Sequence, residues 1–156
     1  MSVHEYTIKD ARLEDALAMA HKMRDSDVKE IWASHRVRPL EALAKCIRNS
    51  ERARTGRIDG EIACIFGISR QNLMGSAGTI WMLGTDLLEK HGIRFLRENK
   101  KEIVDISSEF SHIENYCDAR NTVTIKWLKW LWFTVEEAQP YGVYNLPFHH
   151  FHKEVA

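Results

Sequence analysis

Apolar positions change period several times along the chain, and each change marks an element. Glu5 to Lys9 alternates, with Tyr6 and Ile8 on one face, which predicts a short strand. Asp10-Ala-Arg-Leu-Glu then leads into a helix, with Asp10 or a neighbour placed to cap it and Ala16, Ala20 and Met23 at helical spacing. Val28, Ile31 and Trp32 continue as a second helix, and Pro39 starts a third that runs from Leu40 to about Asn49. Arg52 to Ile58 and Glu61 to Ile68 flank Asp59-Gly60, the pair that favours a two-residue primed hairpin turn. Ile62 to Phe66 is apolar on both faces, as a central strand should be. Gly75 and Gly78 mark a loop, and Thr79 to Gly84 reads as another buried strand.

Thr85 or Asp86 caps the next helix, with Glu89 set as in a capping box and Gly92 ending it. A longer helix spans about Ile93 to Phe110, with Phe95, Ile103, Ile106 and Phe110 on one face. Ile113 to Cys117 is a strand, Asn121 to Leu131 a helix, and Phe133 to Val135 and Phe148 to Phe151 are late strands. The order predicts a mixed α/β sheet of about six to seven strands with helices on both faces. The chain shows no internal repeat and no linker-like tract, so residues 1–156 read as a single domain.

Charge changes the picture by exclusion. Lys plus Arg and Asp plus Glu are each 22, so the net charge is zero; a nucleic-acid partner or an anionic membrane surface is not expected. No apolar run approaches the length of a membrane helix, and the polar start of the chain does not read as a signal peptide. Cys46, Cys64 and Cys117 are odd in number and widely spaced, giving neither a disulfide framework nor a zinc signature. The expected setting is reducing: a host cytoplasm or a particle assembled there.

The last third carries the most specific pattern. Cys117-Asp-Ala-Arg-Asn121 followed by Ile125-Lys-Trp-Leu-Lys-Trp-Leu-Trp-Phe133 resembles the closing motif of the GNAT superfamily, the acyl-CoA N-acyltransferase fold. Tyr6-Thr-Ile-Lys-Asp-Ala-Arg-Leu-Glu-Asp15 resembles its first strand and helix. Met23 to Ile31, Thr79 to Thr85, Asn115-Tyr, Arg120-Asn, the Trp-Leu-Lys-Trp box, Pro140-Tyr-Gly-Val and Pro147 to Phe151 are similar to GNAT-like proteins of tailed bacteriophages, some of them internal virion proteins of podoviruses.

That resemblance implies a cofactor loop after the fourth strand, with Leu83, Gly84, Thr85 and Asn121 as the candidate acetyl-CoA contacts. The loop here reads Gly84-Thr-Asp-Leu-Leu-Glu-Lys-His-Gly92 and lacks the paired glycines that cradle a diphosphate. Asp86 and Glu89 place negative charge where phosphates would sit. Leu128 stands where many relatives have an acidic tyrosine, and cannot donate a proton. Trp132 stands where the usual glycine precedes Phe133, its indole expected to fill space beside the pantetheine arm.

Other clusters have plainer readings beside functional ones. The Asn121–Leu131 helix carries an apolar arc of about 220°. It reads either as a core helix or as a surface whose Trp127 and Trp130, with Trp132 beyond, meet a partner or ligand. Arg24, Asp25, Asp27 and Glu30 read as a solvated charged face, with Asp27 and Glu30 the candidates for polar or catalytic work at the acceptor cleft. Asn121 reads as a helix cap. His149, His150 and His152 suggest a polar edge strand, with no metal expected.

Two functions follow. The first is a virion or morphogenesis-associated protein using a GNAT-like scaffold for contacts with other phage proteins, with a degenerate acetyl-CoA site and no cofactor. The alternative is an N-acetyltransferase moving an acetyl group from acetyl-CoA to an amine.

Overall fold

Asp59 and Gly60 both take positive φ, 51° and 84°, the two left-handed residues that a type I′ hairpin turn requires. They join β2 (Arg52–Ile58) to β3 (Glu61–Arg70), and the rest of the sheet is laid against this hairpin. The computed structural model describes residues 3–155. β1 (Tyr6–Asp10) pairs antiparallel with β2, and β4 (Ala77–Gly84) pairs antiparallel with β3. β5 (His112–Asp118) runs parallel to β4. β8 (Leu146–Glu154) pairs antiparallel with β5, and its far edge is shared by β6 (Thr134–Val135) and β7 (Gln139–Tyr141). The sheet therefore has eight strands. The extra one, β7, contains Pro140, whose missing N–H is tolerated on an edge.

α1 (Leu13–Met19), a 3₁₀ turn at Ala20–Lys22, α2 (Asp25–His35) and α3 (Pro39–Asn49) cover one face. There Met19, Ile31 and Leu43 pack on Ile65 and Leu83. α4 (Asp86–Glu98), α5 (Lys100–Asp105) and α6 (Thr122–Trp130) cover the other. On that face Leu88, Phe95, Leu96 and Trp127 pack on Phe66 and Ile68. Burying each such side chain contributes about 1.5–3 kcal/mol. Gly56 allows part of this packing, since a Cβ there would lie 2.6 Å from the Phe95 ring.

Several boundaries differ from the sequence reading. α1 starts after Arg12, not at Asp10: the Arg12 N–H donates to Asp15 Oδ2 at 3.0 Å. Gly92, at φ 20°, is non-helical and divides α4 into two helical stretches, as the sequence reading has it, with Trp127 seated against its bare Cα. The long helix expected to Phe110 breaks at Asn99, whose side chain turns back to the Phe95 carbonyl. Gly78 lies inside β4. β8 is an interior strand between β5 and β6, not a polar edge.

One irregularity positions everything that follows. β4 and β5 pair over only three residues, Ala77–Thr79 against His112–Glu114, and then separate. A wedge opens in the middle of the sheet.

Candidate functional site

The wedge is a passage. A cavity of about 490 Å³ runs through it, lined on the α2–α3 side by Glu30, Thr79, Glu114 and Tyr116 and on the α6 side by Met82, Trp127, Leu128 and Leu131. Its volume is that of a small-ligand site, about 300–1,000 Å³. One end is polar and the other apolar.

The β4 edge facing the wedge offers backbone groups. Ile80 accepts from Asn115 Nδ2 across the gap at 2.7 Å, and Gly84 donates to Asp27 Oδ2 at 2.8 Å and accepts from the Arg24 N–H at 2.9 Å. Alternate residues of a strand point their N–H and C=O the same way, so Met82, between these two, aims its own pair into the cavity. An extended chain carrying amides can pair there as an added strand does.

The outer end of the wedge is closed by a buried knot of charge. Arg24 and Asp27 are 3% and 1% exposed. Arg24 Nε donates to Asp27 Oδ2 at 2.7 Å and Nη2 to Oδ1 at 3.0 Å. Nη2 also reaches the Thr124 hydroxyl, and the guanidinium lies 4.9 Å over the Trp127 ring. Asn121 Nδ2 donates to Asp27 Oδ1 at 3.2 Å and to Glu30 Oε1 at 3.4 Å. The knot thus ties α2 to β4 on one side of the wedge and to α6 on the other. Of the charged face read as solvated, Arg24 and Asp27 are interior, Glu30 is half-buried and Asp25 stays exposed, and Asn121 spends its amide on these carboxylates instead of capping α6.

Glu30 is the titrating member. Its carboxyl lines the cavity and accepts from the Asp118 N–H at 2.8 Å. Burial first, and then the charge of Asp27, raise its pKa to about 7, against the partial relief of the Asp118 N–H, Cys117 and Asn121. A carboxylate poised near neutrality in a cleft fits the requirements of a general base. Farther along the polar side, burial works against the charge of Glu114, but hydrogen bonds from His150 and His112 outweigh it and hold that carboxyl below its usual range. Tyr116 stacks on Tyr141 at 4.0 Å beside it.

The positions expected to hold acetyl-CoA divide. Leu83 lines the cavity. Gly84 and Thr85 are buried, with the Thr85 N–H given to the Ala63 carbonyl at 2.9 Å. The Thr85 hydroxyl turns to the Ile62 and Ala63 carbonyls instead of capping α4. Asp86 and Glu89 are exposed at the start of α4. The residues present therefore fit the amide-bearing arm and acyl end of an acyl-CoA, and do not fit its diphosphate.

The tryptophans also divide. Trp127 is interior and cannot meet a partner, and Trp130 is half-buried with Lys100 over its ring. Trp132 is 79% exposed and does not fill the wedge. It holds φ 69° because α6 ends in a Schellman turn: Phe133 N–H donates to Leu128 O at 3.0 Å and Trp132 N–H to Lys129 O at 3.1 Å. Glycine is the residue this position favours. Trp132→Gly is expected to raise stability by up to about 1 kcal/mol, the left-handed strain relieved minus the added chain entropy; urea unfolding checks it.

The histidine face is real but holds no ligand cage. His150 and His152 stack at 5.0 Å and bond to Glu114 and Glu136. Among the described residues, no group of three His, Cys, Asp or Glu side chains is arranged for a metal ion.

No protein-family model and no curated protein sequence matches the chain. Solved structures do. An acetyltransferase of Salmonella typhimurium with acetyl-CoA superimposes with a TM-score of 0.72 at 14% identity, covering 97% of this chain and 94% of the other. An N-acetyltransferase of Staphylococcus aureus gives 0.73 at 12% identity, over 97% and 99%. A spermidine N-acetyltransferase of Vibrio cholerae with CoA and spermine gives 0.68 at 14% identity, over 96% and 95%. At such identities the likeness defines the fold: this chain has the GNAT N-acetyltransferase fold, with a mixed sheet split between its fourth and fifth strands.

Proposed function

We propose that this protein transfers a short acyl group from a thioester to an amine. The observation that carries the reading is the passage itself, apolar with a free Met82 backbone edge at one end and carboxylate-lined at the other. A cationic amine is drawn to the end bearing Glu30 and Glu114. The Glu30 carboxylate takes the ammonium proton, the freed amine attacks the thioester carbonyl, and the C–N bond forms as the C–S bond breaks, the surplus proton on the new amide nitrogen passing to water. Leu128 offers no proton, so the expelled thiolate takes one from water, its thiol having an ordinary pKa of about 8.5. The similar structures named as acetyltransferases support the same reading.

Calorimetry with millimolar acetyl-CoA, and thiol release in the presence of small primary amines, test it. Heat of binding and amine-dependent thiol release are expected. The absence of both heat and a thermal shift would overturn it.

Exposed Trp132, with the knot closing the outer end of the wedge, favours a second reading. In it the protein is a phage virion or morphogenesis component, with no cofactor, that acts through contacts with other virion proteins. Mass spectrometry of purified virions and Trp132→Ala in an assembly assay test that role.

A further inference from the structure

We propose, resting on the reading above, that the thioester donor is held by its pantetheine arm and acyl group alone, with no grip on a nucleotide diphosphate. Two N–H groups at the β4–α4 corner, where a diphosphate would be cradled, are already bonded inside the protein. Gly84 gives its N–H to a buried carboxylate, Asp27, at 2.8 Å, so an anion of the protein occupies the place an incoming anion would need. Thr85 gives its N–H to the Ala63 carbonyl. The side chains entering the first turn of α4 are the acidic Asp86 and Glu89, which repel phosphate and oppose the pull of the helix dipole.

Three cations near this corner are matched as well. Arg24 faces Asp27, Lys29 pairs with Asp25 at 2.9 Å, and Arg120 pairs with Asp118 at 2.7 Å. Arg24 retains one buried donor, Nη1, without a partner among the described residues, but its charge is already neutralised. The other unpartnered atom of the knot is Asn121 Oδ1, an acceptor. As an acceptor it offers nothing to a phosphate oxygen. Inside the wedge the features reverse: an apolar wall, the free N–H and C=O of Met82, and no excess of acidic groups at the α6 end. An uncharged amide chain fits the site; a diphosphate meets spent donors at Gly84 and Thr85, and the carboxylates of Asp86 and Glu89 beside the first-turn N–H groups of α4.

The test compares donors of different length on the full chain. Calorimetry should give dissociation constants for CoA and pantetheine that agree within about threefold. The kcat/KM values for acetyl-CoA and acetylpantetheine should be equally close. The affinity for CoA should stay nearly constant from low to high salt, since a charge-gripped ligand weakens with screening. Adenosine 3′,5′-bisphosphate should not compete. Binding of CoA about a hundredfold or more tighter than pantetheine, the gain expected of several charge-assisted bonds, would overturn the inference while leaving the transferase reading intact. Failure of both ligands to bind would overturn the transferase reading and this inference together.

Discussion

Glu30→Gln is expected to slow acyl transfer while making the protein more stable. Loss of a general base costs about 10²–10⁴-fold in rate. The kcat/KM profile of the parent should rise through a group titrating near 7, and that limb should vanish in the variant. Stability moves the other way. The folded carboxyl titrates at about 7 against a model value of 4.5, so between these values the folded protein keeps a proton that the unfolded chain has released. Stability therefore falls as pH rises through this window, and the full cost stands above pH 7. A raised pKa of this size corresponds to about 3 kcal/mol at 1.36 kcal/mol per unit. Gln keeps an oxygen for the Asp118 N–H and carries no charge. Thermal melts should show the variant gaining stability at pH 8 and gaining little at pH 4.5. Equal destabilisation at both values would contradict an enclosed, uncompensated carboxylate.

The second large effect is at the knot. Asp27→Asn removes a charge without changing shape and leaves Arg24 buried and unmatched. Breaking a buried pair from one side costs about 3–5 kcal/mol, whereas replacing both partners by apolar groups of similar volume is often neutral. Arg24→Met should cost a similar amount by stranding Asp27, and Arg24→Met with Asp27→Asn should recover most of the loss. Denaturant unfolding of the four proteins in the cycle measures the coupling, which should exceed about 2 kcal/mol. Additive losses would show that the two side chains do not act as a pair.

How much of this the sequence carried depends on the range of the interaction. The β2–β3 hairpin was readable because Asp59-Gly60 is a local signal with a local cause. The strands β3 and β4 were readable from continuous apolar runs, and the closing motif from Asn121 to Phe133 pointed to the fold that the structure has. The knot was not readable. Arg24 and Asp27 sit three apart on a helix start, the spacing of an ordinary surface pair, and nothing within that segment reports that Thr124 and Asn121 will close over them. Asn121 looked like a cap because it occupies the cap position; its side chain is diverted by carboxylates more than ninety residues away in the chain. Trp132 was expected to fill space beside the pantetheine arm because it stands where the resemblance has a glycine, and that position alone does not give the direction of the indole. The Schellman turn reverses the backbone there and sends the indole to solvent. Glu30 was found as a candidate, but its value as a base came from burial beside Asp27, which only the fold supplies.

The three-residue seam between β4 and β5 also governs traffic. A continuous sheet is a wall, and two reactants meeting at it must share one entrance. Here the cavity is lined from both faces, so in the proposed transfer each reactant can approach from its own side and the meeting point lies inside the wall. Neither has to leave before the other arrives, so the proposed transfer needs no group of the protein to carry the acyl unit in between. Cys117, the thiol nearest Glu30, is unsuited to such a relay in any case, because burial and the neighbouring carboxylates hold it protonated. The kinetic signature of that layout is a ternary complex, with order of arrival left free.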